Sequence, residues 1–201
     1  MDAITQVKVA GPSRKVSNGQ IVILMIVSAA FSRVIPHMPN FSPLNAIALF
    51  AAAHLSARWQ AYVVPLAATW LSDLFLNNVL YAVPGSHFAW SYDGAIWQYA
   101  SYILIVTWGW LLFLSGTSWR RTLVGAAGSG LIFFIVSNFG VWVSGGLYPA
   151  NLAGLLAAYT AALPFYQGTL LGDVFYMTGL FGGYAVLQGF LLRRRLAMGA
   201  G

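Results

Sequence analysis

Six apolar stretches follow one another along the chain, at about 20–35, 43–57, 59–81, 96–114, 121–143 and 169–192. A helix rises ~1.5 Å per residue and the hydrocarbon core of a bilayer is ~30 Å thick, so a crossing takes about 20 residues. Four of the stretches meet that length easily. The first two are short, and 43–57 is the one whose crossing needs separate support. A seventh stretch, 148–163, is bounded by Pro149 and Pro164. Proline is tolerated near the start of a helix and beyond its end, so this pattern predicts a short helix of its own.

Charge decides how many stretches cross. If all six span and the N-terminus is inside, nine of the ten basic residues lie on the cytoplasmic side and only Arg33 lies outside. If 43–57 does not cross, the division becomes three inside and seven outside. Basic residues favour the cytoplasmic side, which selects six crossings with both termini inside. The same rule keeps 148–163 from spanning, because a crossing there would carry Arg193, Arg194 and Arg195 outside. It is expected to be a re-entrant or interfacial helix on the outer side. The predicted organisation is therefore an all-α membrane protein of six transmembrane helices. A basic, flexible cytoplasmic arm covers 1–19, one membrane domain covers 20–192, and a basic cytoplasmic tail covers 193–201. A signal peptide ending near Ser28-Ala29-Ala30 is the lesser alternative for the N-terminal run.

Composition agrees. Hydrophobic residues make up 59% of the chain and charged residues 7%, where a soluble domain carries about 25% charged. The eight Trp and ten Tyr suit interfacial belts. The net charge of +6 is scattered between the apolar runs, so it does not form the patch that nucleic-acid binding requires.

Several function classes are excluded by missing residues. With no cysteine the chain has no disulfide, no thiolate nucleophile and no Cys-ligated metal. It lacks a Gly-Lys-Ser/Thr phosphate loop, a His-Glu-x-x-His pair, a Gly-x-Ser-x-Gly turn and any glutamate. The expectation is a protein that is not an enzyme and holds no cofactor. The rival across classes is an intramembrane enzyme built on Asp73 and Asp173 as an aspartyl pair.

Polar residues inside a membrane span cost about 2.5–3.5 kcal/mol each on insertion scales and usually face the bundle interior. In the six-span topology nearly all of them fall at the outer end: Arg33, His37 and Asn45 near the first loop, Asp73 and Asn77 in the third span, Asn138 in the fifth. Asp173 is expected to open the last span from outside. Trp70, Asp73, Asn77 and Tyr81 share a helix face by their spacing, as do Thr169, Asp173 and Tyr176. Loop 82–95 adds Trp90 and Tyr92, and Tyr148 stands at the next outer loop. These residues predict a polar, aromatic-lined, outward-facing pocket. Small residues at Ala48–Ala53, Gly125–Gly130, Gly179 and Gly183 permit close helix packing, within the bundle or against a partner subunit. His54 reads as a packing residue.

Specific motifs add a family resemblance. They are Arg33-Val34-Ile35-Pro36-His37-Met38-Pro39-Asn40-Phe41-Ser42-Pro43, Leu71-Ser72-Asp73-Leu74-Phe75, Asn138-Phe139-Gly140-Val141-Trp142, Tyr148-Pro149 with Leu152-Ala153-Gly154-Leu155-Leu156, and Pro164-Phe165 followed by Thr169-Leu170-Leu171-Gly172-Asp173-Val174-Phe175-Tyr176. Together, over about 30–180, they resemble small bacterial membrane proteins related to the substrate-binding S components of energy-coupling-factor (ECF) transporters, the BtuM-type vitamin B12 uptake proteins among them. The resemblance implies a six-helix S-component fold in the bacterial inner membrane. It also implies an outward pocket for cobalamin or another vitamin, and transport alone or with an ECF ATPase module and its membrane subunit. His37 and Asp73 would be pocket residues, loop 82–97 a lid, and His37 a candidate ligand for cobalt. Two features depart from that family: the cysteine that ligates cobalt in some BtuM-type members is absent, and the first span offers Ser28-x-x-x-Ser32 where S components tend to carry Ala-x-x-x-Ala.

Overall fold

The computed structural model describes residues 18–199 except 36 and 145, so most of the expected arm, 1–17, lies outside the described residues. Among the described residues every regular element is helical. Helix α1 (Asn18–Phe31) ends in a 3-10 turn, Ser32–Val34. After an irregular stretch come α2 (Leu44–His54) and α3 (Arg58–Phe75), the latter continuing through a π-helical turn, Leu76–Leu80. Then follow α4 (Ala95–Leu112), α5 (Trp119–Ser144) and α6 (Leu152–Met177), which runs through a second π-helical turn, Thr178–Gly182, into α7 (Gly183–Gly199). Among the described residues these make six helical rods. Four of them, Arg58–Leu80, Ala95–Leu112, Trp119–Ser144 and Leu152–Met198, are long and apolar enough to cross a membrane.

The shortest rod holds the bundle together. Every residue of α2 from Leu44 to Ala52 is buried, and α2 packs against α1, α3, α4, α5 and α6. A helix apolar on all sides is one surrounded by protein. At roughly 16 Å long, α2 is too short to span hydrocarbon alone, but its neighbours enclose it. Its run of alanines lets α4 come close: a Cβ on Gly109 would stand 2.8 Å from Leu49 Cδ2 and 3.0 Å from Ala52 Cβ. The small residues of α2, α4 and α5 are thus used inside the bundle.

The sequence expectation of a separate outer helix at 148–163 is corrected here. That stretch is the first part of α6, which passes straight through Pro164 and on to Gly199. Proline deletes only one backbone N–H from the ladder, and membrane helices tolerate it where neighbouring groups absorb the change. One turn before it, Thr160 donates to Leu156 O at 2.7 Å. The start of the rod is where the motif placed it: Asn151 accepts from Gly154 N at 2.9 Å and caps the helix. Asp173 therefore lies deep within a helix and does not open one. From Leu152 to Met198 the rod covers 47 residues, about 70 Å of helix, more than twice the ~30 Å of a hydrocarbon core. Residues 193–199, expected as a tail, continue α7.

The connections 37–43, 81–94 and 146–151 gather at one end of the bundle, where they line shared cavities. Arg33, His37, Asn45, Gln98 and Asn138 make this the polar end of the bundle. At the opposite end His54 packs its ring against Phe50, Phe181 and Tyr184 at centroid distances of 4.7, 5.4 and 4.4 Å, the packing role that its setting suggested.

Candidate functional site: a polar, three-chambered end of the bundle

The 3-10 turn after α1 aims Arg33 across to α3. Its Nη1 donates to Asp73 Oδ1 at 2.6 Å and to Ser72 Oγ at 2.7 Å. Asp73 Oδ2 accepts from Tyr99 of α4 at 2.8 Å, and the Ser72 hydroxyl donates to Thr69 O at 2.8 Å. Three helices are thereby joined through one carboxylate whose two oxygens are both engaged. Ser32 Oγ donates to Ala29 O at 2.7 Å and is hydrogen-bonded to the Tyr176 hydroxyl at 3.0 Å, linking the end of α1 to α6.

A second chain of bonds runs along α4. The Tyr92 hydroxyl donates to Gln98 Oε1, and Gln98 Nε2 donates to the Tyr102 oxygen at 2.7 Å. Burial, reinforced by the negative charge of Asp73 and opposed by Arg33, pushes the Tyr92 phenol above its ordinary range, so it remains a donor throughout physiological pH. Asn78 in the π-helical turn fastens the loop above: its side chain donates to Leu74 O and Ala89 O and accepts from Ala89 N. π-turns cluster at functional sites because the inserted residue re-aims its neighbours.

These networks surround three adjoining cavities. The first, about 240 Å³, is lined by Arg33, His37, Asn45 and Tyr81 together with Gln98, Tyr102 and Thr169. The second, about 460 Å³, shares Asn40, Phe133 and Thr169 with the first and adds Asn138 and Tyr148. The third, about 310 Å³, touches the first at Gln98 and the second at Ser137 and Val141, and includes Tyr92 and Asp93. Together they match the larger small-molecule sites, of roughly 1,000 Å³.

Of the residues singled out in the sequence, Arg33, His37, Asn45 and Tyr81 line the first chamber, Asn138 and Tyr148 the second, and Tyr92 the third. Asp73 stands behind Arg33 and orients it. Trp70 and Trp90 stack at 6.5 Å and are tied by the Trp70 Nε1 to Trp90 O bond of 3.2 Å; they brace the loop and line none of the three chambers. Asn77, half-buried in the π-turn, lines none of them either. Asp173 lies beneath the first chamber, 1% exposed, where its Oδ2 accepts from Asn45 Nδ2 at 3.2 Å. The two aspartates have separate partners, so they do not form one shared acid–base pair through a common group.

Sequence reasoning passed over Asn40, Ser42, Gln98, Tyr99 and Tyr102. Gln98 and Tyr102 stand four residues apart, one face of a helix, inside an otherwise apolar span, and that spacing was the available signal. Asn40 adopts φ 60°, a left-handed conformation that Asn enters more readily than most residues; only the folded backbone reveals it. Among the described residues no cluster of three or more His, Asp, Glu or Cys is placed to hold a metal ion.

A family model described as a family of unknown function, DUF6580, matches residues 14–195. No curated protein and no solved structure matches the chain.

Proposed function

The chain belongs to the DUF6580 family, and from that premise we propose that it is the substrate-binding component of a vitamin-uptake system, with cobalamin or a related corrinoid as its ligand. The single observation that carries the reading is the set of three adjoining chambers ringed by oriented polar groups, the first of them walled in part by Leu44 and Asn45 of the buried α2. Pockets of this kind take an organic molecule with several polar substituents, because a few fixed donors and acceptors set its orientation. A corrinoid is too large for the first chamber and needs all three. His37 supports the same choice. Its Nδ1 lies 3.0 Å from Met38 O, which can only accept, so in the neutral ring Nδ1 carries the proton and Nε2 has the lone pair that a cobalt ion would take. The corrinoid brings its own metal as cargo.

In this reading the polar end faces outside and both termini face the cytoplasm of a bacterial inner membrane. Arg58, Arg120, Arg121, Arg193 and Arg194 then lie inside, as the positive-inside rule favours. The chain carries no phosphate loop, so an ATP-driven step would be supplied by an ECF ATPase module and its membrane subunit.

Two measurements test the proposal. Purified protein in micelles, loaded with micromolar cobalamin and freed of excess, is expected to retain the visible-absorbing corrinoid; loss of all colour rejects that ligand. The topology is read independently because the chain has no cysteine. In intact cells a membrane-impermeant maleimide should label Ser86→Cys in the 81–94 loop and spare Thr117→Cys until the cells are broken. The reverse pattern turns the bundle over and removes the outward pocket.

A further inference from the structure

The polar end contains one buried carboxylate without a counter-charge. Among the described residues the only ion pair is Arg33 with Asp73, and Asp173 is more deeply buried than either partner. Its Oδ2 has the amide of Asn45, while its Oδ1 is buried with no hydrogen-bond partner. Ser42 Oγ is buried and unpartnered as well. Gly172, next to Asp173 on α6, packs against the 39–42 segment so closely that a Cβ there would stand 2.8 Å from Ser42 N. On the other side, a methyl on Gly130 of α5 would lie 3.1 Å from Asp173 Oδ2 and 3.5 Å from the Tyr166 hydroxyl.

A lone ionised carboxylate in so dry a place is costly, and proteins resolve the cost by pairing the charge or neutralising it. No protein cation is at hand. The groups that face Asp173 are Asn45 from α2, the glycine surface of α5, and Tyr166 and Thr169 from its own helix, while Ser42 lies on the segment packed against the adjacent Gly172. Across the first chamber stand Tyr102 of α4, His37, and Arg33, which is already held by Asp73. The surroundings are hydroxyl, amide and backbone oxygens around a single negative charge. One carboxylate with neutral oxygen donors suits a monovalent cation; a divalent ion would call for more anionic ligands.

We infer that Asp173, with Asn45, Ser42 and Thr169, binds one monovalent cation, a proton or Na⁺, drawn from the first chamber. Ser42, Asn45 and Thr169 all line that chamber, so the ion has a route in from the polar end. Asn45 faces both ways: it borders the chamber and donates to Asp173. A ligand group that claims the Asn45 amide weakens its hold on Asp173, so chamber occupancy and cation binding are coupled through one side chain. This names the ion that would accompany the substrate and so rests on the uptake reading, but its test uses no vitamin, and either idea can fail alone.

The experiment uses purified full-length protein and two probes. For Na⁺, thermal unfolding is compared in NaCl and choline chloride at equal ionic strength. A site predicts a Na⁺-specific rise of several degrees, smaller in Ser42→Ala and absent in Asp173→Asn. For the proton, infrared difference spectra are recorded as pH is raised and then restored. The chain has four aspartates and no glutamate, so few carboxyls can contribute. A protonated-carboxyl band should be present at neutral pH, disappear reversibly while the protein stays folded, and be missing in Asp173→Asn. If Asp173→Asn does not fold, Asp2→Asn/Asp93→Asn decides. That variant leaves only Asp73, held by Arg33, and Asp173 to give the band, and it should retain it. The inference is overturned if there is neither a Na⁺-specific shift nor a band, or if a band stays unchanged at every pH at which the protein is folded, which marks a sealed structural acid.

Discussion

Arg33→Ala, with Asp73 left in place, is expected to lower the stability of the folded bundle by about 3–5 kcal/mol, the scale for stripping one partner from a buried ion pair. The two side chains are only 15% and 6% exposed and their contact is 2.6 Å. Without the guanidinium, Asp73 keeps a single donor, Tyr99, and Ser72 loses the donor that Arg33 supplied. The cost therefore comes from an uncompensated charge more than from the lost attraction. Asp73→Asn added to Arg33→Ala removes that charge, so the double variant should be more stable than Arg33→Ala alone. Thermal unfolding of the four proteins of this cycle in one detergent checks it. Strictly additive losses would mean that the pair is not coupled and that Arg33 is held by other contacts.

The second large effect comes from a glycine. A Cβ on Gly168 would lie 2.0 Å from Pro39 O, and the atom it meets is backbone. Gly168→Ala must therefore move either α6 or the 39–42 segment, with a cost of about 1–3 kcal/mol for overpacking, and occasionally more. Asn40 and Ser42 ride on that segment, so the first chamber should change shape as well. Gly179→Ala is the matched control: nothing lies within 4 Å of its Cβ position, and alanine is the better helix former by up to about 1 kcal/mol. Gly168→Ala should unfold at distinctly lower temperature than the parent and Gly179→Ala at the same temperature or slightly above. Equal behaviour of the two would show that the 39–42 segment yields without strain.

Much of this arrangement was readable beforehand because membranes reward a few simple patterns. Length and hydropathy marked the long rods, and the gathering of Arg33, His37, Asn45, Asn138 and Tyr148 at one end followed from placing costly groups by depth. Three things escaped. Pro149 and Pro164 suggested a bounded short helix, but a proline removes one hydrogen bond and a 47-residue rod absorbs that loss. Gly168 and Gly172 carried no visible message, since their purpose is to admit the backbone of a segment over 120 residues earlier in the chain. The choice of Asp73 over Asp173 as the partner of Arg33 was also hidden: both lie at compatible depths, and only packing brings Ser72, Asp73 and Tyr99 around the guanidinium while Asn45 takes the other carboxylate.

The central claim is that the chambers at the polar end hold the ligand. Gln98 stands where the first and third chambers meet, so Gln98→Trp fills the junction. Val186→Trp adds the same indole at a position 75% exposed on α7, away from all three. Cobalamin binding to the parent and both variants, measured by equilibrium titration in micelles, is the direct test. The expected result is equal affinity for the parent and Val186→Trp, and at least about tenfold weaker binding, roughly 1.4 kcal/mol, for Gln98→Trp. A parent that binds no corrinoid, or a Gln98→Trp protein that binds as well as the parent, contradicts the account.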